Sequence, residues 1–348
     1  MIAASQPRQR PPDARLLAID ARGHLAHWPR QDFSALLRPG DLVVANDAAT
    51  LPASLAGRHE RTGAAIEVRI AQALSLAPDA LGNVAAIVFG EGDWRTTTEA
   101  RPLPPALLTG DLLALGPLRA RVVALRDHPR FVTLRFEDDA ARVWHGFARH
   151  GRPVQYAYLE APLALWDVWS PLAGPPVALE APSASFVIDW RSLHAFRERG
   201  VGFATLTHAA GLSSTGDAAL DARLPLDEPY RIPNATARAI AATKAAGGRV
   251  IAVGTTVVRA LEHAASRDGE VRAGEGIATQ RVGPRTPLRV VDAILSGTHE
   301  RGSSHHALLR AFTDAETLER ADAELERAGY RTHEFGDSVL VERRATRQ

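Results

Sequence analysis

Residues 247–262 read GGRVIAVGTTVVRALE, which has the pattern of a buried strand followed by a helix. Residues 250–253 form a short apolar run, which indicates a strand that is buried on both faces. Gly254 permits a sharp turn, and Thr255 or Thr256 is expected to cap the helix that follows. The first turn of such a helix offers free backbone N–H groups, which suit an anion or a sugar hydroxyl. The stretch therefore predicts a strand, a turn and a helix, with these three residues as candidate ligand contacts.

Four polar residues near this turn are further candidates for the site. Arg259 and Glu262 lie three positions apart on the predicted helix, so they share one face. An arginine there either is solvated or reaches back to a bound carboxylate. Asn46 and Asp47 follow a strand predicted over residues 42–45. They form either an Asx-type turn or a ligand contact at the carboxyl end of that strand.

From residue 183 onward, predicted strands alternate with predicted helices, which favours an α/β layer architecture. The strands are predicted at 202–206, 250–253, 290–295 and 339–342, and the helices at 192–199, 235–246, 257–266, 304–312 and 315–328.

The middle of the chain has a different pattern, in which short β-like runs are interrupted by Gly, Pro and Asp. Such spacing is typical of a small antiparallel barrel or sandwich. The runs are 65–71, 84–89, 118–125 and 131–136, with a helix predicted at 139–148. We therefore predict a discontinuous α/β layered domain, residues 1–57 and 150–348, with a small antiparallel β-barrel domain inserted at 58–149.

Composition narrows the classes of function. The chain has 348 residues, of which 45% are hydrophobic, with a formal charge of +1. The net charge of the whole chain therefore does not indicate nucleic-acid binding, and any RNA contact would need a local basic patch. The absence of cysteine excludes disulfides, thiolate catalysis and Cys-ligated metal sites. No secretory signal or membrane span is expected, which predicts a cytoplasmic protein.

Several segments together resemble one family. Residues 38–47 (RPGDLVVAND) and 51–57 (LPASLAG) resemble the opening of the S-adenosylmethionine:tRNA ribosyltransferase-isomerases of queuosine biosynthesis. Residues 247–262 are similar to the most recognisable block of that family. Further matches are residues 290–293 (VVDA), His299, Ser303, 311–312 (AF), 330–331 (YR) and 335–337 (FGD). Their order and spacing agree over nearly the whole chain.

The resemblance implies a reaction with S-adenosylmethionine as co-substrate and tRNA as partner. In this family, a 7-aminomethyl-7-deazaguanine in the tRNA anticodon attacks the ribosyl part of S-adenosylmethionine. Adenine and methionine leave, and the ribose carbons rearrange to an epoxycyclopentane, which gives epoxyqueuosine. A base must remove a proton next to the sulfonium, and the sugar must be tightly oriented. Because the sulfonium itself acidifies that carbon, the resemblance implies no metal.

The sequence departs from the family at positions where histidines are expected. Val187 stands where the family has a histidine, and His208 lies one position away from another family histidine. Glu228 remains from a third motif, and His299 from a fourth. Either a diverged member uses Glu228, His208 and His299 as its catalytic residues, or the substrate has changed. An enzyme with a small-molecule acceptor and a non-catalytic S-adenosylmethionine-binding protein are the alternatives, and the oligomeric state stays open.

The resemblance also makes Tyr230, Ser303 and Asp337 candidate substrate contacts. A metal site at His299, His305 and His306 is not expected, because adjacent helical residues point to different sides and no i, i+4 histidine pair forms. Ser303 or Ser304 is expected to cap a helix instead, with His299 as the one histidine that points to the site.

Overall fold

A nine-stranded sheet with helices on both faces is joined to a closed six-stranded barrel. The computed structural model describes residues 1–344. The strands are β1 (Ile2–Ala3), β2 (Arg15–Ile19), β3 (Leu25–Pro29), β4 (Leu42–Asn46), β5 (Ala49–Thr50), β6 (Ser54–His59), β7 (Ala65–Gln72), β8 (Asn83–Phe89), β9 (Leu112–Leu115), β10 (Leu118–Arg126), β11 (His128–Phe136), β12 (Pro176–Ala178), β13 (Gly202–His208), β14 (Glu228–Ile232), β15 (Val250–Val253), β16 (Gly274–Ala278), β17 (Ala293–Gly297), β18 (Arg331–Thr332) and β19 (Ser338–Glu342). The helices are α1 (Ala140–His150), α2 (Leu165–Val168), α3 (Trp190–Glu198), α4 (Ala218–Asp221), α5 (Asn234–Ala245), α6 (Thr255–Ala264), α7 (Ser304–Leu309) and α8 (Ala315–Arg327).

The large sheet has the strand order β16-β14-β13-β4-β15-β17-β19-β2-β3. Its four central strands, β13, β4, β15 and β17, are parallel, so their carboxyl ends share one edge. All four residues of β15 are buried, as the apolar run predicts. The predicted α/β architecture is confirmed.

Helices cover the two faces of the sheet unequally. Helices α5, α6, α7 and α8 pack on one face, where Leu261 and Ile294 are fully buried. Helix α3 and a 3-10 helix over Arg30–Leu36 pack on the other, around Phe33 and Phe196. Burial of each such side chain stabilises the fold by about 1.5–3 kcal/mol. None of the helices in residues 1–344 has the length and apolar character that a membrane span requires.

The barrel is antiparallel throughout and closes in the order β10-β11-β8-β7-β6-β9. Helix α1 packs on it through Val143 and Phe147, and Asp139 caps that helix by accepting the N–H of Arg142 at 2.9 Å. The predicted barrel is confirmed. Its first strand begins at Ser54, and the division into domains at 57/58 and 149/150 stays a prediction.

An ionic cluster is buried against barrel strands β7 and β8, and we call Glu67, Arg69, Arg101 and Arg130 the barrel cluster. The guanidinium carbons of its three arginines lie 4.9–5.1 Å from the centre of the Phe89 ring. Glu67 accepts the Nε–H of Arg69 at 2.6 Å through Oε1 and pairs with Arg101 through Oε2. Two buried cations therefore pair with one buried carboxylate, and the third, Arg130, donates to the carbonyl of Arg101 at 2.7 Å.

Candidate active site

A cavity of about 340 Å³ lies at the carboxyl edge of the central parallel strands, and we call it the main cavity. Val253 at the end of β15 and Gly254 directly after it line the cavity, together with Ser296 and Gly297 from β17. Ligands of open α/β sheets bind in the crevice at this edge, and ligand pockets commonly measure about 300–1,000 Å³. The rest of the wall comes from residues 180–184, 210–213, 221–222, 224–225, Glu228, Thr255, Thr256, Arg259, 281–282, His299, Gly302, 304–305 and 307–308.

The turn before α6 differs from the prediction in one respect. Helix α6 begins at Thr255, so the predicted threonine cap is wrong; Gly254 occupies the cap position without a capping side chain. Gly254 has φ +95° and ψ 156°, a region that essentially only glycine adopts. Thr255 and Thr256 therefore lie in the first turn, whose N–H groups have no intrahelical acceptor, and both line the main cavity.

Arg259 and Glu228 form a buried ion pair in the wall of the main cavity. Glu228 pairs with Arg259 through Oε2 and accepts the N–H of Gly211 at 2.6 Å through Oε1. The guanidinium also donates to the carbonyl of Ala278 at 2.9 Å. The pair therefore links α6 to β14 and β16, and both oxygens of Glu228 are occupied.

His208 lies behind this pair and does not line the main cavity. Its Nε2 is 3.4 Å from Oε2 of Glu228, and neither ring nitrogen makes a hydrogen bond within the described residues. Burial, together with the charge of Arg259, lowers the pKa of His208 to about 3, so the ring is neutral. Tyr230, its partner across the β13–β14 pair, bonds to His263 Nδ1 at 3.0 Å and is likewise outside the cavity wall.

Two stacked imidazoles form another part of the wall. His299 and His305 have ring centres 4.2 Å apart, 12° from parallel, and both line the main cavity. Burial lowers the pKa of His305 to about 4 and that of His299 well below its usual range, so both rings are neutral. Ser303 caps α7, and His306 points away to Asp322. The sequence analysis missed His305, because it placed His299 alone at the site.

Asn46 and Asp47 fix the strand ends next to the main cavity without lining it. The Asn46 side chain donates to the carbonyl of His208 at 2.9 Å and accepts its N–H at 3.0 Å. Asp47 accepts the hydroxyls of Thr205 and Thr207 at 2.8 and 2.7 Å. Both residues therefore tie β4 to β13.

Glu262 and Asp337 lie away from the main cavity and bind backbone groups. Glu262 accepts the N–H groups of residues 289–291, so its side chain faces the segment that precedes β17 and not the main cavity. Asp337 accepts the N–H groups of Arg15 and Arg331 at 2.7 and 2.8 Å. Of the predicted site residues, the structure gathers Gly254, Thr255, Thr256, Arg259, Glu228 and His299 around the cavity.

Glu180 is a cavity residue that the sequence analysis missed. It accepts hydrogen bonds from the hydroxyl of Tyr156 and from the N–H of Ser213. Both donors are distant in sequence, so no local motif marks the residue. Within residues 1–344, no group of three or more acidic or histidine side chains is arranged to hold a metal ion.

Comparison with known proteins identifies the family. A sequence model of the family described as "Queuosine biosynthesis protein" matches residues 1–341. The chain belongs to this family. The S-adenosylmethionine:tRNA ribosyltransferase-isomerase of Pelobacter propionicus is 31% identical, over 94% of this chain and 93% of that protein. The protein of the same name from Burkholderia pseudomallei is 34% identical, over 95% and 90%.

A solved structure has a similar fold over nearly the whole chain. The crystal structure of S-adenosylmethionine tRNA ribosyltransferase from Thermotoga maritima matches with a TM-score of 0.51 at 22% identity. The match covers 97% of this chain and 96% of that chain, so the similarity extends over both the sheet and the barrel. The resemblance drawn from the sequence motifs is confirmed.

Proposed function

We propose that this chain is an S-adenosylmethionine:tRNA ribosyltransferase-isomerase. It moves the ribosyl part of S-adenosylmethionine onto 7-aminomethyl-7-deazaguanine in tRNA, gives epoxyqueuosine, and releases adenine and methionine. The observation that carries the proposal is a ligand-sized cavity at the family's most recognisable block, in a chain that matches the family over residues 1–341. As an enzyme that acts on tRNA, it is proposed to work in the cytoplasm.

The turn and first helical turn of α6 are proposed to hold the methionine or ribose end of the co-substrate. Gly254 brings the backbone close to the ligand, and Thr255 and Thr256 add hydroxyls to the free N–H groups. Arg259 is occupied by Glu228, so it positions that carboxylate instead of binding the ligand's carboxylate directly. The ion pair thereby holds in place the part of the cavity wall that contacts the sugar.

The stacked imidazoles are proposed to bind the adenine that leaves. A neutral imidazole carries one N–H donor and one acceptor nitrogen, so the pair His299 and His305 can bond ring nitrogens of a purine. Because both rings stay neutral, they act by hydrogen bonding and not as a positive charge near the sulfonium. This suits a cationic co-substrate.

Turnover tests the proposal directly. The full chain is incubated with S-adenosylmethionine and with tRNA that carries the aminomethyl-deazaguanine, and adenine, methionine and the modified nucleoside are measured by mass spectrometry. Adenine release that requires this tRNA, with the epoxycyclopentane product, is expected. Adenine release without tRNA would instead favour a small-molecule acceptor, and tight binding without turnover a non-catalytic protein.

A substitution at Gly254 tests the location of the co-substrate. Gly254→Ala is expected to destabilise the protein by about 1–3 kcal/mol, because alanine is strained at φ +95°. The new Cβ would also lie 3.4 Å from Cβ of Ala184, another residue of the cavity wall. We expect at least a tenfold loss of S-adenosylmethionine affinity by calorimetry.

Gly269→Ala is the matched control for that substitution. Gly269 has φ +84°, but nothing lies within 4 Å of a Cβ added there. The control is expected to lose stability because alanine is also strained at its positive φ, and to keep its affinity. Equal affinity losses in the two variants would contradict a binding role for the turn.

A further inference from the structure

Glu180 lies between two cavities. It lines the main cavity and also a smaller one of about 10 Å³ behind it, close to the space that one water needs. Tyr156, Tyr158 and Glu334 line the small cavity. Glu180 therefore borders the main cavity on one side and the small cavity of Tyr156, Tyr158 and Glu334 on the other.

The two oxygens of Glu180 have different surroundings. Oε1 accepts both protein hydrogen bonds, from the Tyr156 hydroxyl and from the Ser213 N–H at 2.9 Å. Oε2 accepts none from the described residues, and Glu180 keeps part of its surface accessible. One oxygen thus anchors the side chain, while the other is left to meet a ligand.

The other carboxyl groups of the main cavity are already engaged. Glu228 is held by Arg259 and by the Gly211 N–H. Asp221 accepts the N–H and hydroxyl of Thr215, both at 2.6 Å. A carboxylate with its lone pairs committed to a guanidinium is a weak base, because protonation would break the ion pair.

We propose that Glu180 is the base that removes the proton next to the sulfonium of S-adenosylmethionine, an inference that rests on the proposed function. The C–H bond breaks, an O–H bond forms at Oε2, and the electron pair stays on the carbon beside the positive sulfur. The proton held by Glu180 then goes to the adenine that leaves, which needs one. The attacking amine loses its own proton to solvent. The positive charge of the sulfonium is balanced by the release of this proton, because all the other products are neutral.

The surroundings of Glu180 also suit proton transfer near neutral pH. Burial raises the pKa of Glu180 to about 7, the hydrogen bonds from Tyr156 and Ser213 oppose this, and the charge of Glu334 adds to it. Burial raises the pKa of Tyr156 well above its usual range, so its hydroxyl remains a donor. A general base is most effective when its pKa lies near the working pH. The other charged or titratable groups of the surrounding walls are Tyr158, Asp221, Glu228, Arg259, Arg281, His299 and His305.

Glu180→Gln on the full chain is the first test. We expect the rate of product formation to fall by about 10²–10⁴-fold, the usual contribution of general acid–base catalysis, while S-adenosylmethionine affinity changes less than threefold. Glu180→Asp should recover part of the rate. A glutamine variant that keeps more than a tenth of the wild-type rate would overturn the inference.

The pH profile separates a base from a merely structural residue. Wild-type kcat should fall below about pH 7, because the carboxylate must be ionised. Tyr156→Phe removes a hydrogen bond that stabilises the carboxylate, so the acidic limb should move to higher pH. Glu334→Gln is the matched control, because Glu334 also accepts a tyrosine hydroxyl but lies outside the main cavity. Loss of its negative charge should lower the pKa of Glu180 and move the acidic limb to lower pH.

Failure of the proposed function and failure of the proposed role of Glu180 give different results. A wild-type protein that releases no adenine overturns the proposed function. A wild-type protein that turns over, with an acidic limb that neither Tyr156→Phe nor Glu334→Gln moves, overturns only the role of Glu180. If Glu180→Gln does not fold, these two shifts decide the question.

Discussion

Glu67→Gln is expected to destabilise the protein by about 3–5 kcal/mol, the usual consequence of removing one partner from a buried ion pair. In the barrel cluster, Glu67 is the one carboxylate among Arg69, Arg101 and Arg130. Its loss leaves Arg69 and Arg101 buried beside the Phe89 ring without their carboxylate partner. Urea unfolding followed by circular dichroism measures the difference at pH 7.

The pH dependence of this difference follows from the pKa of Glu67. Burial alone would raise that pKa, but the charges and hydrogen bonds of Arg69 and Arg101 outweigh burial and hold it below its usual range. The ionised carboxylate therefore contributes stability above the unfolded-state pKa, and this contribution is lost as the pH falls through the lower folded-state pKa. The gap between wild type and Glu67→Gln should narrow below about pH 4.5.

A double variant provides the control for the barrel cluster. Glu67→Leu with Arg101→Met removes a charge of each sign, so it should lose less stability than Glu67→Leu alone. A single substitution at Glu67 that costs less than about 1 kcal/mol would show that the three arginines tolerate their mutual repulsion without it.

Arg259→Met is expected to lower stability by about 3–5 kcal/mol and to reduce turnover at least a hundredfold. The substitution leaves Glu228 buried without its cation, beside His208, which burial keeps neutral. It also removes the bond to the Ala278 carbonyl that joins α6 to β16. Calorimetric unfolding and the adenine-release assay measure the two losses.

Two further variants separate folding from catalysis at this site. Arg259→Met with Glu228→Gln should recover part of the stability but not the turnover. Arg249→Met breaks a partly buried arginine's pairing with Asp41 and Glu342, next to the amino end of β15. It should lower stability and leave kcat per folded molecule unchanged. Loss of turnover in Arg249→Met equal to that in Arg259→Met would contradict a local role for the Glu228 pair.

The sequence predicted the parts of the fold whose side chains follow a simple period. Strand β15 begins and ends where its apolar run does, because a strand buried on both faces needs apolar residues at every position. Strands β6, β14 and β16 were missed. Gly57, Pro229 and the two glycines of β16 interrupt their patterns, and their pairing depends on neighbours far along the chain.

The candidate site was less predictable, since it depends on contacts between distant segments. Glu180 lies in a stretch without regular period, and its donors Tyr156 and Ser213 come from two other segments. Glu262 shares a helix with Arg259 as predicted, yet it binds the backbone at 289–291. Spacing along a helix gives the relative direction of two side chains, but not the neighbours that each one meets.

Val187 shows how a lost motif residue can mislead. It stands where the family has a histidine, but it packs in the apolar cluster with Phe196 on the α3 face of the sheet and does not line the main cavity. Meanwhile His305, on α7, lines the cavity. The neutral rings at the site are thus supplied from the loop after β17 and from α7, not from the segment that carries the altered motif.

The position of β19 has a consequence for synthesis on the ribosome. The barrel strands all lie within residues 54–136, and Ser54 already pairs with Arg152, so the barrel can close while the rest of the chain is still being made. The large sheet cannot, because β19 stands between β17 and β2 and joins residues 338–341 to residues 16–19. Until that late segment emerges, the β2–β3 hairpin has no place in the sheet. A nascent chain stalled before residue 338 should therefore hold a protease-resistant barrel beside an unfinished sheet with an open edge.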